Sequence, residues 1–302
     1  MQPTLRIHAV EYHTAGEPFR IVSEGFDPIP GATMLEKRRH AREHLDHFRR
    51  LVVNEPRGHA DMYGCFVTEP VTPGARFGAL FFHNAGFSTA CGHGTIALAT
   101  WAGESVTIDA PSGPVTARVG DGAVTFGNVP SWVAARGLAA GPLTVDVAYG
   151  GAFYASVEAP MAVEPANVTR FIELGRKVKR AVEAQVDLVH PRLADIRDVY
   201  GVTFFEPVDE RTQRNVTVFA DGEVDRSPCG SGTSARLALL HADGFTGPLR
   251  HLSVIGTEFI GRVTGESEEG VLTEIEGSAH LVARHEFLLH PGDPLGTGFL
   301  LR

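Results

Sequence analysis

The sequence predicts an α+β protein built as two related halves, and three observations carry that prediction. Residues 91–97, Cys-Gly-His-Gly-Thr-Ile-Ala, match residues 229–235, Cys-Gly-Ser-Gly-Thr-Ser-Ala, at five of seven positions with an offset of 138 residues. That offset is close to half of the 302-residue chain. It points to a duplicated domain and not to a solenoid, whose periods are far shorter. The length agrees, since domains average roughly 150 residues. Strand-like and helix-like segments also alternate in both halves. The expected division is residues 1–135, carrying Cys91, and residues 136–302, carrying Cys229, with the C-terminal strands as candidates to pack back on the first half.

Residues 5–12 and 76–82 are short β-rich runs. Between them, from Ala32 to about Leu51, Met34, Ala41, Leu45, Phe48 and Val52 recur at three- and four-residue spacing, with Arg, Lys and Glu opposite, which predicts one amphipathic helix ended by Pro56. Residues 62–67 read as a strand in which Cys65 is a small buried hydrophobe. Helix-compatible residues follow at 96–101, and residues 115–126 form a hairpin pattern around Gly120-Asp121-Gly122. Residues 130–142 loosen into small side chains, the expected boundary between halves. Beyond it, 145–149 and 153–157 read as strands, 167–185 as a helix, 199–205 and 215–219 as strands, and 235–241 as a helix. The tail from Leu249 is strand-like.

Composition narrows the function classes. A net charge of −9 with 43% hydrophobic and 21% charged residues describes a globular chain with ample core. A nucleic-acid partner is not expected, because phosphate binding needs clustered Lys and Arg, and the one basic run, 176–180, falls on a helix. No membrane partner is expected either. No stretch approaches the roughly 18–20 apolar residues of a spanning helix, and residues 1–20 have no apolar segment followed by a cleavage site, so the chain reads as cytoplasmic. The three cysteines, Cys65, Cys91 and Cys229, lack metal-type spacing and are too few for a disulfide framework. The only lysines, Lys37, Lys177 and Lys179, sit in charged segments that read as solvated helix faces, which leaves almost no candidate for Schiff-base chemistry.

The repeats carry the chemistry. Each places a cysteine before glycines and a helix, where the partial positive charge and free N–H groups are expected to favour a thiolate and lower its pKa. The N–H groups of Gly92, His93, Gly230 and Ser231 suit a carboxylate, and the glycines let it approach the backbone. A small amino acid held between two such copies has a sulfur on each face of its α-carbon. One thiolate takes the α-proton while the opposite thiol returns one, which inverts the centre without a cofactor. Asp225 is placed to receive the ammonium and His93 to orient the carboxylate. Metal ligation is not expected, because the His40/Glu43/His44 pattern sits on an Arg-rich, solvated helix. Dinucleotide binding through the Gly-x-Gly-x-x-Ala repeats lacks the acidic residue and strand–helix unit it needs. A Cys91/His93 hydrolase is disfavoured, since residues two apart on a helix do not face each other. A non-catalytic amino-acid-binding protein is the alternative from another class, and a missing cysteine or Asp225 would mark it; neither is missing.

These residues resemble the proline racemase family over nearly the whole chain. His13-Thr14-Ala15-Gly16-Glu17-Pro18 looks like its N-terminal signature, and the run from Glu55 to Gly64 like its second block. Cys91-Gly92-His93-Gly94 and Asp225-Arg226-Ser227-Pro228-Cys229-Gly230 resemble its two cysteine motifs. The resemblance implies a diaminopimelate-epimerase-like fold, each half wrapping a sheet around a central helix, with the site in the cleft between them. It implies catalytic Cys91 and Cys229, substrate contacts from Gly92, His93, Asp225, Gly230 and Ser231, proline or a hydroxyproline as substrate, and a homodimer. Family 4-hydroxyproline 2-epimerases tend to carry histidine where this chain has Gly201, and Gly-Thr-Gly where it has Gly230-Ser231-Gly232. Tyr200-Gly201 and the stretch 218–221 look more like the trans-3-hydroxy-L-proline dehydratase branch. The expected activity is therefore that dehydratase with accompanying 2-epimerisation, with 4-hydroxyproline 2-epimerase or proline racemase as the alternative. Phe87, Phe204 and Phe205 are candidates to pack against the ring.

Overall fold

The computed structural model describes residues 5–301, so the first four residues of the 1–20 segment lie outside the described residues. The chain opens with strands β1 (Leu5–Thr14) and β2 (Glu17–Glu24), antiparallel to each other. Two outer helices follow, α1 (Met34–His44) and α2 (Asp46–Val53). Strand β3 (Tyr63–Thr68) then lies parallel to β2 and antiparallel to β4 (Phe77–His83). The short β5 (Gly86–Phe87) turns back on β4 and leads into α3 (Gly92–Ala102). Strand β6 (Val106–Ala110) is parallel to β4 and continues antiparallel into β7 (Gly113–Gly120) and β8 (Ala123–Gly127).

The same wiring then recurs. After β9 (Trp132–Ala140) come the antiparallel strands β10 (Leu143–Tyr149) and β11 (Phe153–Glu158), the outer helix α4 (Val168–Glu183), and β12 (Val199–Asp209) parallel to β11. Strands β13 (Thr212–Phe219) and β14 (Glu223–Asp225) lead into α5 (Gly230–Ala242). Strand β15 (Leu249–Leu252) is parallel to β13 and continues antiparallel into β16 (Glu258–Ser267) and β17 (Gly270–Gly277). Strand for strand, the pairings from β10 to β17 repeat those from β1 to β8, the α+β pseudo-symmetric arrangement the sequence predicts.

The halves are interlaced. The final strand β18 (Ala279–Leu289) pairs with β1, while β9 pairs with β10, and β17 pairs with β8. The segment 130–142, expected to be a loose boundary, is thus mostly strand. Its small side chains pack half-exposed on a sheet edge.

Helices α3 and α5 sit inside the wrapped sheets. Every residue from Gly92 to Ala99 and from Gly230 to Leu239 is buried, as suits helices of mostly apolar or small residues, and the buried Arg236 donates from Nε to Gln213 Oε1 at 3.0 Å. The outer helices bury one face only. The single helix expected from 32 to 51 is two, because the chain breaks at buried Leu45 (φ −115°, ψ 8°). The apolar stripe continues across the break, with Met34 and Ala41 buried in α1, Leu45 at the junction, and Leu51, Val52 and Val53 in α2. A Thr33–Glu36 capping box starts α1. Lys37 also departs from the solvated face expected of it. It is buried, and its Nζ donates to the Ile29 carbonyl and to Thr68 Oγ1, both at 3.1 Å. Among the described residues no helix is long and apolar enough to cross a membrane.

Candidate active site

The two inner helices meet at their N-termini. A Cβ added to Gly92 would lie 2.7 Å from Gly230 Cα, and one added to Gly230 would lie 2.9 Å from Gly92 Cα, with the Phe126 ring against both. Only glycine permits this approach, which brings the unpaired N–H groups of both first turns to one place. Gly92→Ala is therefore expected to cost about 1–3 kcal/mol of stability, read from denaturant unfolding, because backbone has to move to admit the methyl. A variant as stable as the parent would show that the helix ends part without cost.

Cys91 and Cys229 are the N-cap residues of α3 and α5. At the first, the Gly94 N–H donates to Cys91 Sγ at 3.2 Å, and Thr95 Oγ1 donates to the Cys91 carbonyl at 2.9 Å. At the second, Thr233 Oγ1 donates to the Cys229 carbonyl at 2.8 Å, while the matching Gly232 N–H attracts Cys229 Sγ without closing a full hydrogen bond. The backbones differ. Cys91 is extended, at φ −156°, whereas Cys229 is at φ +63°, a conformation that costs a non-glycine residue about 1–3 kcal/mol. Hydrogen bonds hold Cys229 there. Its N–H donates to Ser227 Oγ at 3.1 Å, and Ser227 Oγ donates to Asp225 Oδ1 at 2.7 Å.

The seven residues expected at the site, Cys91, Gly92, His93, Asp225, Cys229, Gly230 and Ser231, all line one narrow cavity of about 20 Å³. That volume holds about one water. A ring-bearing ligand enters only if the walls part. Tyr63, Ala90, Tyr154, Tyr200 and Phe219 complete the lining. The sequence pointed instead to Phe87, Phe204 and Phe205, and none of these reaches the cavity. Phe87 packs with Phe66 and Phe82 under α1 and α2, Phe204 packs on Phe171, and Phe205 lies beneath the Arg236 guanidinium at 3.6 Å. The tyrosines went unrecognised because strand assignment alone does not say which face borders a cavity. Tyr63 lies in the 55–64 block, and Tyr200 and Phe219 lie in the Tyr200-Gly201 and 218–221 stretches, the signals that marked them.

Electrostatics reverses one expectation. Both thiols lie well above the ordinary cysteine range, because burial outweighs the helix N-terminus, and Asp225 adds like-charge repulsion at each. The neighbours are unequal. Cys229 has the Asp225 carboxylate and the Tyr154 hydroxyl beside it, whereas Cys91 has the Gly94 N–H and the His93 ring. His93 Nδ1 and Nε2 lie 3.4 and 3.5 Å from Cys91 Sγ, so this pair does approach. A residue at the N-cap is not bound by the spacing rule of the helix interior. Burial pulls His93 down to about 3, so the ring is neutral. Burial also pushes Asp225 up to about 6, against two hydrogen bonds from Ser227.

The N-terminal motifs converge on the same place. The buried Glu17 accepts the Arg226 N–H at 2.7 Å, and Arg226 Nη2 meets Asp61 Oδ2 at 3.2 Å. Thr14 Oγ1 donates to the His93 carbonyl at 2.9 Å. These contacts tie β1, β2 and the 55–64 block to both cysteine loops. Among the described residues no cluster of His, Cys, Asp and Glu is arranged to hold a metal.

Residues 9–300 match the family described as proline racemase. A 3-hydroxyproline 2-epimerase from Burkholderia multivorans is 44% identical, with 100% of each chain covered. A trans-3-hydroxy-L-proline dehydratase from Azospirillum brasilense is 43% identical, also with 100% of each covered. Among solved structures, a hydroxyproline epimerase from Agrobacterium vitis with bound trans-4-hydroxy-L-proline superposes with a TM-score of 0.91 at 28% identity, over 100% of this chain and 97% of that one. A PhzF-family protein from Enterococcus faecalis shares the fold alone, with a TM-score of 0.56 at 14% identity over 94% of this chain and 100% of that one.

Proposed function

The chain belongs to the proline racemase family, and from that premise we propose that it dehydrates trans-3-hydroxy-L-proline and also epimerises it at C2, with Cys91 and Cys229 as the acid–base pair. The observation that carries this reading is the convergence of two matched cysteine-capped helices, one from each half, with Asp225 on one buried cavity. The ligand carboxylate is gripped by the N–H groups of Gly92, His93, Gly230 and Ser231, and its ammonium by Asp225. The cavity keeps both thiols neutral when no charge partner is near, and a bound ammonium offsets the cost of ionising one.

Cys91 then removes the α-proton of an L-substrate, and developing enolate charge falls on the converged N–H dipoles, away from water. With a hydroxyl at C3 the carbanion expels water, and the enamine tautomerises to pyrroline-2-carboxylate. Where the carbanion keeps its hydroxyl, or has none at C3, Cys229 protonates the other face. Gly201 supports a 3-hydroxy over a 4-hydroxy substrate. A Cβ there would lie 3.2 Å from the Tyr154 ring, so the histidine of the 4-hydroxyproline epimerases would need that ring to give way by a few tenths of an ångström.

Proton NMR in D2O with trans-3-hydroxy-L-proline, trans-4-hydroxy-L-proline and L-proline in parallel tests the reading. Pyrroline-2-carboxylate from the 3-hydroxy compound is the expected result. Inversion of the 4-hydroxy compound or of proline, with no dehydration, would make the protein an epimerase or racemase instead.

The role of Asp225 sets a pH dependence. Its carboxyl is pushed up to about 6 and grips the ammonium only when ionised. Protonation removes the grip, so kcat/KM is expected to fall about tenfold per pH unit below 6 and to level above it. Asp225→Asn should lower kcat/KM throughout and abolish that limb. A limb that survives in the variant assigns it to another group.

A further inference from the structure

Three phenols, Tyr63, Tyr154 and Tyr200, line the cavity. The Tyr154 hydroxyl is engaged with Cys229. The other two are joined to each other, Tyr63 to Tyr200 at 2.9 Å, and Tyr63 continues to Ser88 Oγ at 2.5 Å. The chain Ser88–Tyr63–Tyr200 ends at the cavity wall. The Ser88 hydrogen has two acceptors, Tyr63 Oη at 2.5 Å and the Ala90 carbonyl at 3.4 Å; with Ser88 donating along the shorter contact to Tyr63, and Tyr63 to Tyr200, the Tyr200 proton is left to point at a ligand. A hydroxyl that accepts one hydrogen bond is a stronger donor of the next. Tyr200 is fixed by stacking on Phe219 and by an edge contact with Tyr154, both with ring centroids 5.8 Å apart. Burial holds both phenols well above their ordinary range, so each keeps its proton.

Stereochemistry connects this chain to one step. In trans-3-hydroxy-L-proline the hydroxyl is opposite the carboxylate, and so is the α-hydrogen, which places leaving group and α-hydrogen on the same ring face. The group that assists departure has to share the face of the base. Tyr200 lies within electrostatic reach of both sulfurs, and its hydroxyl is tied to the Cys91 side through Tyr63, whose ring meets His93 edge-on at 4.9 Å beside Cys91 Sγ. Tyr154 serves Cys229, and Asp225 is committed to the ammonium.

We propose that Tyr200, polarised through Tyr63 and Ser88, donates the proton that lets the 3-hydroxyl leave as water. The proposal rests on the dehydratase reading and adds a catalytic residue to it. Cys91 Sγ takes the α-proton, and the electron pair of that C–H bond forms the C2=C3 double bond. The C3–O bond breaks with its pair going to oxygen, and the Tyr200 proton completes water and leaves a phenolate. Cys91 now holds one proton more than at the start and Tyr200 one fewer. Release of one to solvent and uptake of one along the hydroxyl chain restore both, so nothing is oxidised or reduced.

The test is Tyr200→Phe, which keeps the ring and its stacking, assayed with trans-3-hydroxy-L-proline in D2O. Pyrroline-2-carboxylate and deuterium at C2 of recovered substrate are followed together by NMR. Dehydration is expected to fall about 100-fold while deuterium wash-in stays within about threefold, because the carbanion still forms but loses its exit. Tyr63→Phe, which leaves the donor but removes its polarising partner, should shift the same ratio by about tenfold. A wash-in to dehydration ratio unchanged in Tyr200→Phe overturns the proposal, whether both rates are kept or both lost. If both are kept, the Cys91 thiol itself protonates the leaving oxygen. If both are lost, Tyr200 is structural. A parent enzyme that forms no pyrroline-2-carboxylate fails the dehydratase reading instead, before either variant is made.

Discussion

Cys91→Ser is expected to abolish exchange of the α-proton of an L-substrate with D2O, lowering it by about 10³-fold or more, and to remove dehydration and epimerisation together. The reason is acidity and not shape. Serine keeps the N-cap position and can still accept the Gly94 N–H that meets Cys91 Sγ at 3.2 Å. A thiol in this cavity is already pushed above its ordinary range by burial, and a hydroxyl in the same place has no accessible anion. Neither the neutral His93 nor Asp225, occupied by the ammonium, takes over as base. NMR exchange rates measured beside an unfolding curve separate lost chemistry from lost fold. Exchange within tenfold of the parent in a folded variant would place the base elsewhere.

Cys229→Ser is expected to divide the two activities. Epimerisation of the L-substrate should disappear, because no acid remains on the second face, while dehydration stays within about tenfold of the parent, since water leaves after proton removal by Cys91 alone. The surroundings of the two sulfurs support the division. The Asp225 carboxylate beside Cys229 disfavours a thiolate there, the setting of a thiol that keeps its proton ready to donate. Cys91 faces a backbone N–H, a partner that stabilises an anion. Following a D- and an L-substrate by chiral chromatography reads the division directly. Equal loss of both activities in a folded Cys229→Ser protein would refute it.

Several features of the site are written in the chain itself. The two copies of Cys-Gly-x-Gly-Thr-x-Ala fix local geometry, because a cysteine followed by glycines and helix formers becomes an N-cap wherever that helix is placed. Their spacing disclosed the duplication, and Asp225, four residues before Cys229, needed only the short strand β14 to enter the cavity. The outer helices were legible from periodicity. The break at Leu45 was not, because the stripe of Met34, Ala41, Leu45, Phe48 and Val52 continues through it, and both sides of the break pack into one apolar cluster.

Strand β2 escaped notice because its central residues Phe19 to Val22 are all buried, which erases the alternation that marks a half-buried strand. The segment 130–142 looked loose because small side chains carry little pattern, yet β9 pairs with β10 through backbone bonds that need none.

What the sequence determined by itself is the chemistry available: two thiols at helix starts, a carboxyl for an ammonium, and glycines that let backbone approach a ligand. These follow from residue type and short-range spacing, the scale on which capping and backbone freedom operate. The tertiary structure decided the rest. It set the meeting of Gly92 with Gly230, the wall of Tyr63, Tyr154, Tyr200 and Phe219 drawn from four strands, the junction of Glu17 with Arg226, and thiols raised where a lone helix end would lower them. Each depends on residues far apart in the chain and on the exclusion of water between them, and desolvation is a property of the narrow cavity that no single segment carries.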